Sequence, residues 1–226
     1  MKGKLTLKKV WHFIWEDDSI WSWLVNIVIA FVLIKYLVYP GLGLALNTSH
    51  PVVAVVSESM EHSSAFDDWW KKANDKYTIE KTELIDGIPQ KIQSTFDEWY
   101  VNNGINKEGF ADFPLKNGFN KGDIMMLKGK KAADIKIGDV VVFWSQKNDP
   151  IIHRVVKKWQ ENSTYYFQTK GDNYKTNPTS IKNVFLDETR ISEDQIVGNA
   201  IARIPLLGYI KIWFVELLVN PFLNTA

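Results

Sequence analysis

The chain alternates between long apolar runs and short polar breaks, and these breaks divide it into elements. No charged residue falls between Ser19 and Ile34; Lys35 interrupts, and a second uncharged run continues through Leu46. The first run alone is short of the roughly 20 residues a bilayer-crossing helix needs. A single anchor over 19–46 is therefore expected, with Lys35 snorkelling to an interface or facing a protein partner. Tyr36 and Tyr39 suit that interface, and Pro40-Gly41 suits a helix break. Pro51-Val-Val-Ala-Val-Val56 then reads as a buried strand ending in Ser57-Glu58-Ser59-Met60, where polar atoms begin.

Residues 61–118 follow a helical period. Phe66, Trp69, Trp70, Ala73 and Tyr77 share one helix face, and Ile92, Phe96, Trp99 and Tyr100 repeat the pattern after the Gly87-Ile88-Pro89 break, with Gly104 as a stop. The spacing predicts a mostly helical insertion whose rings pack its helices together or form a flap that dips into the membrane or guides substrate. From Phe119 the pattern turns to short strands behind turn signals. Gly122-Asp123 precedes Ile124 to Leu127, Gly138-Asp139 precedes Val140 to Trp144, and Ile151 to Val156 and Tyr165 to Phe167 follow. Strands at this density without helical crossovers predict a compact antiparallel β domain over 47–60 and 119–200. Residues 201–226 are hydrophobic, with Arg203, Lys211 and Glu216 among them. They are expected to lie on the membrane or cross it a second time.

Composition alters this picture in three ways. A net charge of +1 over 226 residues argues against nucleic acid as a partner. The absence of cysteine excludes disulfides, thiol catalysis and cysteine-ligated zinc. Four of the ten tryptophans, Trp11, Trp15, Trp21 and Trp23, flank the start of the hydrophobic run, where an interfacial belt would lie. Lys2, Lys4, Lys8 and Lys9 precede that run, which puts residues 1–18 in the cytoplasm and the β domain outside. A cleaved secretory signal would need a small-x-small site, which Leu44-Ala45-Leu46-Asn47 does not supply.

The candidate chemistry starts from a serine held at the end of a rigid strand, because orientation lets a weak nucleophile react. Ser57 and Ser59 stand two apart and face the same side of an extended chain, so one can attack while the other donates a hydrogen bond. Of four histidines, His12, His50, His62 and His153, only His153 falls in a core strand; it is either a general base or a histidine held by backbone hydrogen bonds. A base needs an acid on its second nitrogen. Asp172, in Gly171-Asp172-Asn173, is the first candidate, whereas Asp123 and Asp139 read as turn residues.

The order of these pieces resembles the signal peptidases of archaea and the catalytic subunit of the endoplasmic-reticulum signal peptidase complex. The matching motifs are Ser57-Glu58-Ser59-Met60, Lys121-Gly122-Asp123-Ile124, Gly138-Asp139-Val140-Val141-Val142-Phe143, Ile152-His153-Arg154-Val155, Lys170-Gly171-Asp172-Asn173 and Val197-Gly198. The resemblance implies a signal-peptidase-like β fold and a serine endopeptidase with Ser59 as nucleophile and His153 as base; no cofactor is expected, and His50 and His62 form no metal-ligand spacing with His153, which argues against zinc. It further implies an oxyanion hole made by the Ser59 N–H with Ser57, and substrate lying beside Val53, Val55 and Val56. Preproteins bearing signal peptides would be the substrates, in an archaeal cell membrane or the endoplasmic-reticulum membrane. The bilayer and, as the resemblance admits, the secretion translocon would be partners. The chain departs from the family where a second aspartate is expected about six residues after Asp172: Pro178 stands there, beside Asn177. Asp172 is thus the expected orienting acid and Asp187 the fallback. Two other readings stand beside this one: an inactive relative that presents its surface to a partner, and a serine–lysine peptidase using Lys128 or Lys170.

Overall fold

The computed structural model describes residues 7–76, 78–85, 88–146 and 149–209. A short helix α1 (Leu7–Trp15) precedes a continuous helical stretch, Ile20–Leu46, made of α2 (Ile20–Leu33), a π-helical turn (Ile34–Val38) and α3 (Tyr39–Leu46). Ser19 caps α2 through its side chain. The Asn26 amide donates to the Ile14 carbonyl at 2.8 Å and the Ser22 hydroxyl to Phe13, folding α1 back onto the long helix. Trp21, Phe31 and Leu37 are exposed along this stretch, which is long and apolar enough to cross a membrane. Lys35 falls on the π-helical turn, with its ammonium over the Phe31 and Tyr36 rings at 5.8 and 5.4 Å. These faces replace part of the water that a charge in an apolar run lacks.

Asn47 ends the helix in the left-handed conformation, and the end is tied to the β domain. The Gly129 N–H donates to the Leu46 carbonyl at 2.8 Å and the Thr48 hydroxyl to the Val197 carbonyl at 3.0 Å. A Cβ on Gly129 would stand 1.7 Å from the Asn47 carbonyl oxygen, so only glycine permits this junction.

The β domain is a seven-stranded antiparallel sheet in the order β1-β4-β9-β5-β6-β7-β8. Its strands are β1 (Val52–Ala54), β4 (Ile124–Lys128), β5 (Val140–Phe143), β6 (Ile151–Glu161), β7 (Thr164–Lys170), β8 (Ile191–Ser192) and β9 (Ile196–Ile204). Asn162 and Ser163, both at positive φ, make the tight β6–β7 turn. Strand β5 is buried on both faces: Val140 and Val142 join Val55, Met60, Phe119 and Met125, while Val141 and Phe143 join Val155, Phe167, Leu186 and Ile191. The expected strand at Pro51–Val56 is shorter than its apolar run, since pairing with β4 stops at Ala54. Strand β9 runs through Ile204, past the boundary expected at 200; the rest of the 201–226 segment lies outside the described residues from 210 on.

The insertion contains α4 (Phe66–Lys76), α5 (Phe96–Asn102) and α6 (Lys107–Ala111), as the period predicts for 66–76 and 96–102. Between the first two lies a hairpin of β2 (Thr78–Ile85) and β3 (Ile88–Thr95), so Ile92 is in a strand rather than a helix. Tyr77 lies outside the described residues. Phe66, Trp69, Trp70, Phe96, Tyr100 and Phe110 form one buried aromatic core with Val156 of β6 and Tyr174. Burial of these rings inside the protein removes them from any flap that dips into lipid.

Candidate functional site

Ser57 and Ser59 sit on the bend after β1, with their hydroxyl oxygens 3.1 Å apart. They face each other through that bend rather than through strand alternation. A cavity of about 270 Å³ opens beside them, lined among others by Val55, Val56, Ser57, Ser59, His153 and Asn177. The nucleophile and base expected from sequence therefore share one cavity although they lie 94 positions apart (153 − 59). Of the three valines expected beside the substrate, Val55 and Val56 line the cavity. Val53 packs instead against the core, where its pairing with Met125 of β4 turns it.

The bend is held from behind. The Asn173 N–H donates to the Ser59 carbonyl at 2.8 Å, and its side-chain amide donates to the Glu58 carbonyl at 2.9 Å. Gly171 lets the two segments approach, because a Cβ there would meet the Ser59 carbonyl oxygen at 2.7 Å. Pairing with the 171–173 loop thus fixes the orientation of Ser59.

Two histidine–carboxylate systems lie on opposite sides of β6, because consecutive strand residues point to opposite faces. On one face the His153 Nδ1–H donates to Glu188 Oε1. Glu188 also accepts from the Thr169 hydroxyl at 2.9 Å and from the Ile181 N–H at 2.8 Å, and it is fully buried. With Nδ1 so engaged, Nε2 is the nitrogen of His153 that can accept a proton. On the other face Arg154 donates to both oxygens of Asp172, at 3.0 Å from Nε and 2.6 Å from Nη2. Its remaining N–H groups reach the Pro114, Leu115 and Gly138 carbonyls. His62 Nε2 completes this set, 3.3 Å from Asp172, with its ring stacked on Trp69 at 3.7 Å.

Asp172 is therefore not the acid on His153, and neither is Asp187, which is exposed and accepts from Thr189. The register explains the first: Arg154 pairs with Lys170 across β6–β7, so the chain entering the 171–173 loop serves the Arg154 face. Simple alternation explains the second. Leu186 and Glu188 are buried and Asp187 between them is exposed. The buried leucine two residues earlier was the available sequence signal for Glu188; His62 carried none.

Burial opposes ionisation of Asp172, but the Arg154 charge and the His62 hydrogen bond outweigh it and hold the carboxyl well below its usual range. Glu188 is lowered too: burial pushes it up, while the neighbouring His153 and the hydrogen bonds from His153, Ile181 and Thr169 pull it further down. Burial lowers His62, against the pull of Asp172. Carboxyls depressed in the folded state add stability that is full above their unfolded values near 4 and is lost as pH falls through the lower folded ones. The urea midpoint is thus expected to be flat in these two groups above about pH 5 and to fall steeply below about pH 4. Asp172→Asn should flatten that slope, which chemical denaturation at several pH values measures.

A helix able to cross a bilayer, joined to an antiparallel sheet with a serine and a carboxylate-bound histidine on one cavity, has the parts of an anchored serine hydrolase. No family model matches the chain. Among curated proteins it is similar to the signal peptidase complex catalytic subunit SEC11 of Colletotrichum graminicola, 33% identical over 115 residues, or 50% of this chain and 63% of that one. The SEC11 subunit of Saccharomyces cerevisiae is 35% identical over 107 residues, covering 45% and 61%, and that of Pyricularia oryzae is 29% identical over 114 residues, covering 50% and 63%. The chain thus spans about three fifths of the length of the curated relatives it matches. Each of these relatives is a catalytic subunit of the signal peptidase complex, and the similarity extends over about half of this chain.

Proposed function

We propose that the protein is a membrane-anchored serine endopeptidase that removes signal peptides from exported preproteins. The observation that carries this reading is the shared cavity, with Ser59 and His153 on its wall and Glu188 on the far nitrogen of His153. Ser59 Oγ attacks the scissile carbonyl while His153 Nε2 takes its proton, and the ionised Glu188 stabilises the imidazolium. The Ser59 N–H and the Ser57 hydroxyl serve the oxyanion; a donor of this kind is worth about 3 kcal/mol of barrier. His153 returns the proton to the leaving amine of the mature protein, and water then releases the signal peptide from Ser59.

Among the described residues β1 ends the strand order, and its outer edge would receive the substrate backbone as an added strand. Val55 and Val56 offer small apolar contacts to the residues before the cut. The basic residues ahead of α2 favour a cytoplasmic N-terminus and a catalytic domain on the outer face, with the bilayer and the secretion translocon as partners. An inactive partner-binding relative loses its main support, since Glu188 supplies the acid that Pro178 cannot. A serine–lysine mechanism fares no better: the Lys170 ammonium is buried against Tyr100 and the Gly171 carbonyl, and Lys128 is exposed at the end of β4, outside the lining of the Ser59 cavity.

The test is cleavage of a model preprotein in proteoliposomes, with sequencing of the new N-terminus. A cut following small residues is expected; intact preprotein would overturn the reading.

A further inference from the structure

Besides Val156 and Tyr174, two cations of the β domain meet the aromatic core of the insertion. Arg154 of β6 lies under the Phe110 and Phe113 rings at 4.8 and 5.9 Å. Lys170, the last residue of β7, is fully buried, and its ammonium faces the rings of Phe96, Trp99 and Tyr100 on α5 at 4.9, 5.6 and 5.1 Å. Two oxygens complete this surround: the Gly171 carbonyl at 2.9 Å and the Tyr100 hydroxyl at 3.4 Å. Three ring faces and two oxygens are what this buried cation has in place of water. Burial pushes its pKa down to about 7 against the opposing pull of Asp172 and Glu188.

The next three residues after Lys170 form the loop that clasps the serine. Asn173 holds the Ser59 and Glu58 carbonyls, and the Asp172 N–H points at the Met60 sulfur at 3.4 Å. We propose that the insertion is a positioning device for the nucleophile: α5 grips the Lys170 ammonium, and Lys170 thereby sets the 171–173 loop that orients Ser59. Lys170, Phe96 and Trp99 are positioning residues on this account and touch no substrate. A misplacement of about 1 Å in a reacting group costs on the order of 100-fold in rate, so a loosened cage reads out in turnover more than in substrate binding.

The kinetic part rests on Ser59 being the nucleophile; the structural part does not. Lys170→Met and Trp99→Leu are compared with wild type in the full-length chain, with Lys170→Arg as the charge-retaining variant and Val101→Ala, on the exposed side of α5, as the control. Amide hydrogen exchange of Asn173 reports its bond to Ser59 without reference to activity. Exchange there should rise in Lys170→Met and Trp99→Leu, partly recover in Lys170→Arg and stay at the wild-type value in Val101→Ala. The same variants should lose roughly 10- to 100-fold in kcat on a preprotein with KM within about twofold. Unchanged Asn173 exchange in the folded Trp99→Leu variant overturns the proposal, as does a loss carried by KM alone. An inactive wild type whose Asn173 exchange still answers to Lys170 would instead remove the peptidase reading and leave the clasp standing.

Discussion

Ser59→Ala is expected to abolish preprotein cleavage while the protein stays folded. Ser59 is partly exposed and, among the described residues, its hydroxyl pairs with Ser57, so its removal costs about 1 kcal/mol of stability or less. Loss of a nucleophile in a serine–histidine unit typically costs on the order of 10⁴- to 10⁶-fold in kcat. His153→Ala should match it, because on the proposed mechanism the two act as one unit, and the double variant should be hardly worse than either single one. The check is single-turnover cleavage with matched thermal melts. Turnover of Ser59→Ala within tenfold of wild type, at an unchanged melting temperature, would remove the serine from the chemistry.

What the sequence made legible follows from what periodicity can encode. The anchor is readable because lipid demands an uninterrupted apolar run, and the strands from Ile124 to Phe167 because turn residues separate them. The helices at 66–76 and 96–102 show their inner faces as rings three and four apart. The hairpin between them does not, since Ile92 continues the helical spacing by coincidence and cross-strand pairing overrides it. The carboxylates were the hardest part. Which acid meets His153 depends on strand register and on which side of β6 each loop returns, neither of which spacing along the chain encodes. Asp172 was conspicuous because its motif is conspicuous, yet it serves Arg154.

Glu188 and Asp172 are expected to separate cleanly when each is made neutral. Glu188→Gln keeps the shape of the buried side chain but can offer His153 Nδ1 an amide donor, which favours the tautomer unable to accept a proton at Nε2. An expected fall in kcat on the order of 10⁴-fold follows, by the behaviour of amides placed behind a catalytic histidine. Asp172→Asn acts on the other face. It leaves the guanidinium of Arg154, fully buried, without its counter-charge, and breaking such a pair typically costs about 3–5 kcal/mol of stability. The Pro114, Leu115 and Gly138 carbonyls that Arg154 also holds soften that loss without cancelling the charge. Cleavage per folded molecule should then fall about tenfold or less, through the 171–173 loop behind Ser59. Adding Arg154→Met to Asp172→Asn should restore most of the lost stability, since a neutral buried pair has no charge left to solvate. Active-site titration alongside urea denaturation resolves the two effects. If Asp172→Asn lost as much turnover as Glu188→Gln at undiminished stability, the histidine would take its orientation from Asp172 in the working enzyme, and the division of labour across β6 would be wrong.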